Sequence, residues 1–302
     1  MKNILIADAL NPEAFEELNS VPDLNITLKT GMDEAELIKT IPGFHAIVVR
    51  SATKVTANVI KAASDLEIIV RAGIGLDNID TKAAIEANIE VANTPAATTF
   101  SVAEHTFGLM QGAVRYHGPA NLSMKDHKWE KKKFSGTELN GKTLGIVGSG
   151  RIGLDLARRA IAFGMKVIVF DIIDIKTTLD IKQMSLDEVL RQADIISLHL
   201  PLTDQTQHMI SDKEFEKMKD GVVIVNASRG GIIDEAALLK ALNSGKVKAA
   251  AIDVFEKEPP DDFSLIDHPN VTATPHIGAA AKEGQKRAGF EVVKIIKEKY
   301  LS

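Results

Sequence analysis

Three side chains that can exchange protons or bind anions each stand just beyond a short apolar run in the second half of the chain: Arg229, Glu258 and His276. A guanidinium forms paired hydrogen bonds with a carboxylate, and an imidazole exchanges a proton near neutral pH, the more so when a carboxylate orients it. Glycines beside Arg229 are expected to leave room for a ligand. The pattern predicts an acid–base site for an anionic substrate, with these three residues as its catalytic set.

Each of these residues also has a structural alternative. Arg229 could cap a helix or form an interdomain ion pair, Glu258 could be a solvated loop acid, and His276 could be a surface residue. Their positions at three consecutive predicted strand ends favour one shared site.

A glycine-rich turn follows another apolar run in the middle of the chain. Residues 143–147 lead into Gly148, Gly150 and Gly153, and Asp171 lies 23 residues beyond the first of these glycines. Such a strand, turn and helix cradles the pyrophosphate of a dinucleotide, and a carboxylate at this spacing accepts hydrogen bonds from ribose hydroxyls. The alternative is an ordinary glycine turn with a solvated Asp171.

Short apolar runs alternate with helix-like segments on both sides of this turn. The alternation predicts the α/β class, with two Rossmann-like or flavodoxin-like parallel-sheet domains and a cleft between them as the site. The expected division is a substrate-binding domain at 1–96 plus 280–302 and a dinucleotide-binding Rossmann domain at 97–279. Long helices are predicted at about 101–116 and 279–300.

Composition restricts the possible partners and compartment. The 302 residues include 45% hydrophobic and 25% charged residues, which is typical of a globular protein, and the net charge of −5 gives no reason to expect nucleic acid or an anionic membrane. The chain has no cysteine, which excludes disulfides, thiolate metal sites and thiol nucleophiles, and no metal is predicted. Without a signal-peptide pattern or a long apolar span, a cytoplasmic protein is expected.

The catalytic set and the glycine turn, together with His199, Pro201 and Thr203, resemble the D-isomer-specific 2-hydroxyacid dehydrogenases over essentially the whole chain. Within that family, the segments 49–55, 71–80 and 129–145 are most similar to the members that oxidise D-3-phosphoglycerate. The resemblance implies an NAD-dependent enzyme that converts D-3-phosphoglycerate to 3-phosphohydroxypyruvate for serine biosynthesis. Because the sequence ends at residue 302, a short form without a C-terminal regulatory domain is expected.

Two alternatives remain open. One is another member of the family, such as a glyoxylate or hydroxypyruvate reductase. The other is a non-catalytic, NAD-sensing corepressor or scaffold with the same fold. The intact set of Arg229, Glu258 and His276 argues against the second alternative.

The resemblance also implies which residues bind each ligand. His276 would exchange the substrate proton, Glu258 would hold its ring, and Arg229 would bind the substrate carboxylate. Ser149 and Ile74 depart from the residues common at their positions. The implied cofactor residues are Gly148, Gly150, Arg151, Ile152, Gly153, Asp171, His199, Pro201, Thr203, Ala227, Ser228, Asp253 and Gly278, and the implied substrate residues are Arg50, Ser51, Arg71, Gly73, Ile74 and Gly75.

Additional basic side chains near the substrate and pairing of two chains are also expected. Arg50, Lys54, Arg71 and the lysines at 131–133 offer positive charge for a phosphate, although the lysine run could equally be a solvated loop. Family members pair through the region of the 101–116 helix and Trp129, so a homodimer is expected.

Overall fold

The computed structural model describes residues 1–301, which divide into two compact units. The first unit is Met1–Ser101 together with the segment that begins at Ala279, and the second is Val102–Gly278. Each unit contains one parallel sheet with helices on it, which confirms the predicted α/β class with two parallel-sheet domains.

The first unit contains a five-stranded sheet in the order β2-β1-β3-β4-β5. The edge strand β2 was not among the predicted runs, which are almost continuously apolar, whereas polar and apolar residues alternate in β2, the pattern of a half-buried edge strand. The strands of the first unit are β1 (Lys2–Ile6), β2 (Leu24–Leu28), β3 (Ala46–Val49), β4 (Ile68–Arg71) and β5 (Glu90–Asn93). Its helices are α1 (Pro12–Asn19), α2 (Glu34–Thr40), α3 (Ala57–Ala62) and α4 (Thr81–Glu86), with a C-terminal helix at Lys282–Leu301.

The core of this unit lies on both faces of the sheet, because the central strands are apolar in nearly every position. One face packs against α2, α3 and α4. The other packs against α1 and the C-terminal helix, whose Val292, Val293 and Ile296 are buried beside Ile4 and Leu18. The end of the chain is therefore part of the same core as its beginning.

The second unit contains a seven-stranded sheet in the order β12-β11-β10-β9-β6-β7-β8. The short edge strand β8 was also not predicted, since its two residues are both polar and exposed. The strands of the second unit are β6 (Thr143–Val147), β7 (Lys166–Phe170), β8 (Lys182–Gln183), β9 (Ile195–Leu198), β10 (Val222–Asn226), β11 (Val247–Ile252) and β12 (Val271–Ala273). Its helices are α5 (Thr99–Arg115), α6 (His117–Lys125), α7 (Arg151–Ala162), α8 (Leu186–Gln192), α9 (Asp212–Lys217) and α10 (Glu235–Asn243), with a 3-10 turn at Lys131–Lys133.

The topology of this sheet brings distant parts of the chain together. All its strand pairs are parallel, so their carboxyl ends meet at one edge of the sheet. The strand order also reverses at β6, which has β7 on one side and β9 on the other. Loops that follow β6, β9, β10, β11 and β12 therefore leave the sheet along the same edge.

Within residues 1–301, none of the helices combines the length and the apolar composition that a membrane crossing requires.

Candidate active site

His276 and Glu258 form a hydrogen-bonded pair at the edge where the strands of the second unit end. The Nδ1 of His276 lies 2.7 Å from Oε2 of Glu258, and Phe255 N–H donates to the other oxygen, Oε1, at 3.1 Å. His276 has a left-handed backbone with φ of 52°, uncommon for a residue with a side chain. With Nδ1 held by the carboxylate, Nε2 is the ring nitrogen left to exchange a proton with a ligand.

The pair shifts the protonation of both residues. The hydrogen bond that His276 donates to Glu258 raises the pKa of His276, burial opposes this rise, the charge of Asp253 adds to it, and the charge of Arg229 lowers the pKa. Burial alone would raise the pKa of Glu258, but the hydrogen bonds from His276 and from Phe255 N–H outweigh burial and lower the pKa. Both shifts favour the charged pair, imidazolium and carboxylate, over the neutral pair.

Asp253 fixes the turn that carries His276. This carboxylate is only 1% exposed. It accepts hydrogen bonds from the hydroxyl of Thr274 at 2.5 Å, from Ile277 N–H at 2.9 Å and from Gly278 N–H at 2.8 Å. The same turn is tied to the end of β11, because His276 N–H donates to Asp253 O at 2.8 Å. Sequence reasoning placed Asp253 and Gly278 beside the cofactor and did not find this bracing.

Arg229 sits on a loop that Asn226 organises. The buried Asn226 accepts from Ser228 N–H at 3.1 Å and Ser228 Oγ at 2.8 Å, and its amide donates to Arg229 O at 2.9 Å. The guanidinium donates to Ser228 O at 2.7 Å, and its charge acts on His276. Ala227, also buried, lies between these residues at the end of β10. The role of Asn226 was missed, although an amide at the end of an apolar strand is a recognisable signal.

The expectation that both glycines after Arg229 leave room for a ligand is wrong for Gly230. A Cβ built on Gly230 would lie 1.8 Å from Phe255 O and 2.8 Å from Glu256 N. The backbone of Phe255 and Glu256, in the loop after β11, fills this space, so no side chain would fit at position 230. Gly230 therefore lets the loops that carry Arg229 and Glu258 cross in direct backbone contact.

The glycine turn after β6 has the geometry of a phosphate cradle. Gly148 has a left-handed backbone with φ of 94°, and a Cβ there would lie 2.4 Å from His199 O. A Cβ at Gly153 would lie 2.3 Å from Gly148 O, so this glycine lets α7 approach the turn. At Gly150, the N-cap of α7, the space is open and no side chain caps the helix. The first N–H groups of α7 are thus available to an anion, with Arg151 and Ile152 at their start.

Asp171 lies at the end of β7 beside this turn. Its carboxylate accepts from Ser149 N–H at 2.7 Å and from Ile173 N–H at 3.3 Å. Both oxygens keep lone pairs for hydroxyl donors, so the bonds to the backbone fix the carboxylate without using its full capacity.

His199 directly follows β9, and the two nitrogens of its ring have different surroundings. Its Nε2 lies 2.9 Å from Ser197 Oγ, whereas Nδ1 is buried and has no hydrogen-bond partner. Burial lowers the pKa of His199 to about 4, so the ring is neutral at neutral pH. Pro201 and Thr203 are exposed further along the same loop. This loop can form a wall of the site, but His199 cannot serve there as a cation.

In the first unit, the loop that follows β3 and carries Arg50, here called the Arg50 loop, is held by hydrogen bonds with Asp8 and with Asn78. Asp8, only 7% exposed, accepts from Arg50 N–H at 2.6 Å, from Thr53 N–H at 3.2 Å and from Thr53 Oγ1 at 2.9 Å. The amide of Asn78 donates to Arg50 O at 2.9 Å and Thr53 O at 2.7 Å. Ser51 is exposed at the tip of this turn. Sequence reasoning missed both Asp8 and Asn78, although an aspartate directly after a buried strand is a signal for such a role.

The Arg71 loop adjoins the Arg50 loop. Arg71 Nε donates to Arg50 O at 3.3 Å, and a Cβ at Gly73 would lie 2.7 Å from Nη1 of Arg71. Asn93 supports the following residues by donating to Ile74 O at 2.5 Å, next to Gly75. The structure therefore brings the predicted substrate residues together as two neighbouring loops of the first unit.

Within residues 1–301, no three histidine or acidic side chains are grouped so that they could hold a metal ion.

Comparison with known proteins gives a consistent result. A family model described as "D-isomer specific 2-hydroxyacid dehydrogenase, NAD binding domain" matches residues 107–278. The hydroxypyruvate reductase of Thermotoga maritima is 50% identical over 297 residues, which are 97% of each chain. The D-3-phosphoglycerate dehydrogenase of Archaeoglobus fulgidus is 46% identical over 97% of this chain and 56% of its own length. A glyoxylate reductase structure from Paecilomyes thermophila superposes with a TM-score of 0.89 at 37% identity, covering 98% of this chain and 94% of that one.

The Glu258–His276 contact generates a prediction that needs no knowledge of the substrate. In Glu258→Gln, the pKa of His276 should fall, because the imidazolium loses its negatively charged hydrogen-bond partner. The measurement is an NMR titration of the His276 ring. Asp261→Asn is the matched control, since it removes one charge from the same loop at a carboxylate that pairs with Lys257. A pKa of His276 that is unchanged in Glu258→Gln would show that the pair is not coupled.

Proposed function

The chain belongs to the D-isomer-specific 2-hydroxyacid dehydrogenases, and we propose that it oxidises D-3-phosphoglycerate to 3-phosphohydroxypyruvate, as the first step towards serine. The observation that supports this substrate is the pair of braced loops that hold Arg50 and Arg71 side by side in the first unit. A phosphorylated acid needs cations beyond the one that binds its carboxylate, and guanidinium groups suit phosphate oxygens.

NAD is the cofactor of this domain family, and the residues present fit it. The uncapped start of α7, the open space at Gly150 and the fixed carboxylate of Asp171 suit a pyrophosphate and a ribose. We assign the pyrophosphate to the Gly148–Gly153 turn and the ribose hydroxyls to Asp171. The remaining assigned cofactor residues, those of the His199 loop and the ends of β10, β11 and β12, would line the nicotinamide side.

In the proposed mechanism, Arg229 binds the substrate carboxylate and polarises the neighbouring carbon–oxygen bond. His276 Nε2 takes the hydroxyl proton during oxidation and returns it during reduction. Glu258 stabilises the imidazolium that results. When bound, NAD supplies the redox chemistry by exchanging a hydride with the substrate carbon.

Reduction of hydroxypyruvate or glyoxylate is the second candidate. It is favoured by the Thermotoga relative, which is named a hydroxypyruvate reductase and has nearly the same length as this chain. A panel of phosphorylated and unphosphorylated 2-hydroxy and 2-oxo acids, assayed with NAD or NADH, separates the two. A non-catalytic corepressor is disfavoured, because binding alone requires no imidazole paired with a carboxylate.

Cofactor choice follows from Asp171. A 2′-phosphate would meet the negative charge of this side chain, which is already oriented by Ser149 N–H, so NAD should be preferred over NADP. The check is kcat/KM with each cofactor for the wild type and for Asp171→Ser, which should lose much of the preference. Comparable values for both cofactors in the wild type would contradict the assignment of Asp171 to the ribose.

Substrate choice should depend on Arg50. Arg50→Ala should lower kcat/KM for 3-phosphoglycerate by the equivalent of about 1.5–3 kcal/mol, the scale of a lost charge-assisted hydrogen bond, and barely affect D-glycerate. Lys61→Ala is the control, because it removes a cation from the same unit at the end of α3. Equal losses for both acids would mean that Arg50 shapes the site generally, and the hydroxypyruvate or glyoxylate reductase would then be favoured.

We also propose a cytoplasmic homodimer that pairs through the segment after α5. Leu122, Met124 and Trp129 are exposed there by 61%, 55% and 79%, an apolar surface that a partner would cover. Sedimentation at micromolar concentration should show a particle of twice the 32.6 kDa chain mass. Trp129→Glu should weaken the association, and a monomer in the wild type would contradict this proposal.

A further inference from the structure

Three side chains outside the proposed catalytic set connect the loops that follow β9, β10 and β11. They are Glu235 at the start of α10, Glu256 in the loop after β11, and His208 in the loop after β9. We refer to these three residues as the loop clasp.

The centre of the loop clasp is a reciprocal pair of hydrogen bonds. Glu256 N–H donates to Oε1 of Glu235 at 2.7 Å, and Glu235 N–H donates to Oε1 of Glu256 at 3.1 Å. Each carboxylate thus accepts from the backbone of the other residue. Because both bonds join the same two segments, neither segment can shift without weakening both.

His208 adds the third loop. Its Nε2 lies 3.1 Å from Oε1 of Glu256, and its N–H donates to Gly231 O at 2.7 Å. His208 therefore holds one residue of the loop after β10 and one residue of the loop after β11.

Electrostatics alone would not place a carboxylate at position 235. Burial raises the pKa of Glu235, the hydrogen bond from Glu256 N–H opposes the rise, and the charges of Glu256, Asp262 and Glu258 add to it. Four acidic side chains thus lie near one another. The hydrogen bond that Glu235 accepts from Glu256 N–H opposes burial and this repulsion, although the pKa of Glu235 stays raised.

The loop clasp reaches Glu258 through two consecutive peptide groups, on either side of Phe255. The carbonyl of Phe255 packs on Gly230, where a Cβ would lie only 1.8 Å away, and the N–H of the same peptide, at Glu256, is bonded to Glu235. The N–H of Phe255 in turn donates to Oε1 of Glu258. The position of the Glu258 carboxylate therefore depends on where this stretch of backbone is held.

We propose that Glu235 is a positioning residue, which holds the Phe255–Glu256 peptide so that the Glu258 carboxylate meets Nδ1 of His276. Glu235 acts through Glu258 and has no assigned contact with substrate or cofactor. The inference rests on the proposed roles of Glu258 and His276. The charged groups that act on His276 itself are Glu258, Asp253 and Arg229.

The test measures the pKa of His276 by NMR and the pH profile of the reduction, both in the 302-residue chain. In Glu235→Ala, the pKa of His276 should fall by at least half of the fall seen in Glu258→Gln, and the basic limb of the profile should move to lower pH. Misplacement of the pair should reduce kcat about 10-fold or more. The KM for NADH should stay within about twofold, because the glycine turn is untouched. Glu235→Gln keeps an oxygen acceptor and should behave like the wild type.

Glu214→Ala is the matched control. It removes a carboxylate that accepts from a backbone N–H at the start of α9 in the same unit, but it has no bond to the loop after β11. An equal shift of the His276 pKa in both alanine variants, or an effect of Glu235→Gln as large as that of Glu235→Ala, would overturn the proposal. If Glu258→Gln shifts the pKa and Glu235→Ala does not, this inference alone fails. If Glu258→Gln itself has no effect, the proposed catalytic pair fails.

Discussion

A buried carboxylate at the end of a strand is the interaction on which the site depends. Asp253 is almost fully buried at the end of β11, and its oxygens accept from Thr274, Ile277 and Gly278. A buried charge is costly unless several partners satisfy it, and here three donors belong to the turn that follows β12, while His105 on α5 lies 3.3 Å from the same carboxylate. The same bonds that stabilise the charge therefore fix the turn, and the turn presents His276 in its unusual backbone conformation.

The first unit uses the same arrangement. Asp8 follows β1, is buried, and accepts from Arg50 and Thr53. In both units an aspartate beyond a buried strand converts a loop into a rigid support for a side chain that can bind or titrate. Neither aspartate needs to touch a ligand for this purpose. Its contribution is to remove loop freedom before a ligand arrives, which reduces the ordering cost of binding.

Close backbone approach is the second constraint on the site. The loops that carry Arg229 and Glu258 cross at Gly230 with no side chain between them, and Gly148 meets the end of β9 in a similar way. Such contacts bring functional side chains from separate loops within reach of one another. They also leave little tolerance, since any side chain at Gly230 would overlap the Phe255 carbonyl.

The amino-acid sequence by itself determined the α/β class, the parallel sheets, the glycine turn and the candidate catalytic residues. These features are encoded locally, by apolar runs, by helical periodicity and by glycine spacing, so a short stretch of residues is enough to recognise each. The bond between Glu258 and His276, the bracing by Asp8 and Asp253, and the occupied space at Gly230 were decided by the tertiary structure. Each joins residues 18 to 45 positions apart in the chain, and only the arrangement of parallel strands brings such residues together.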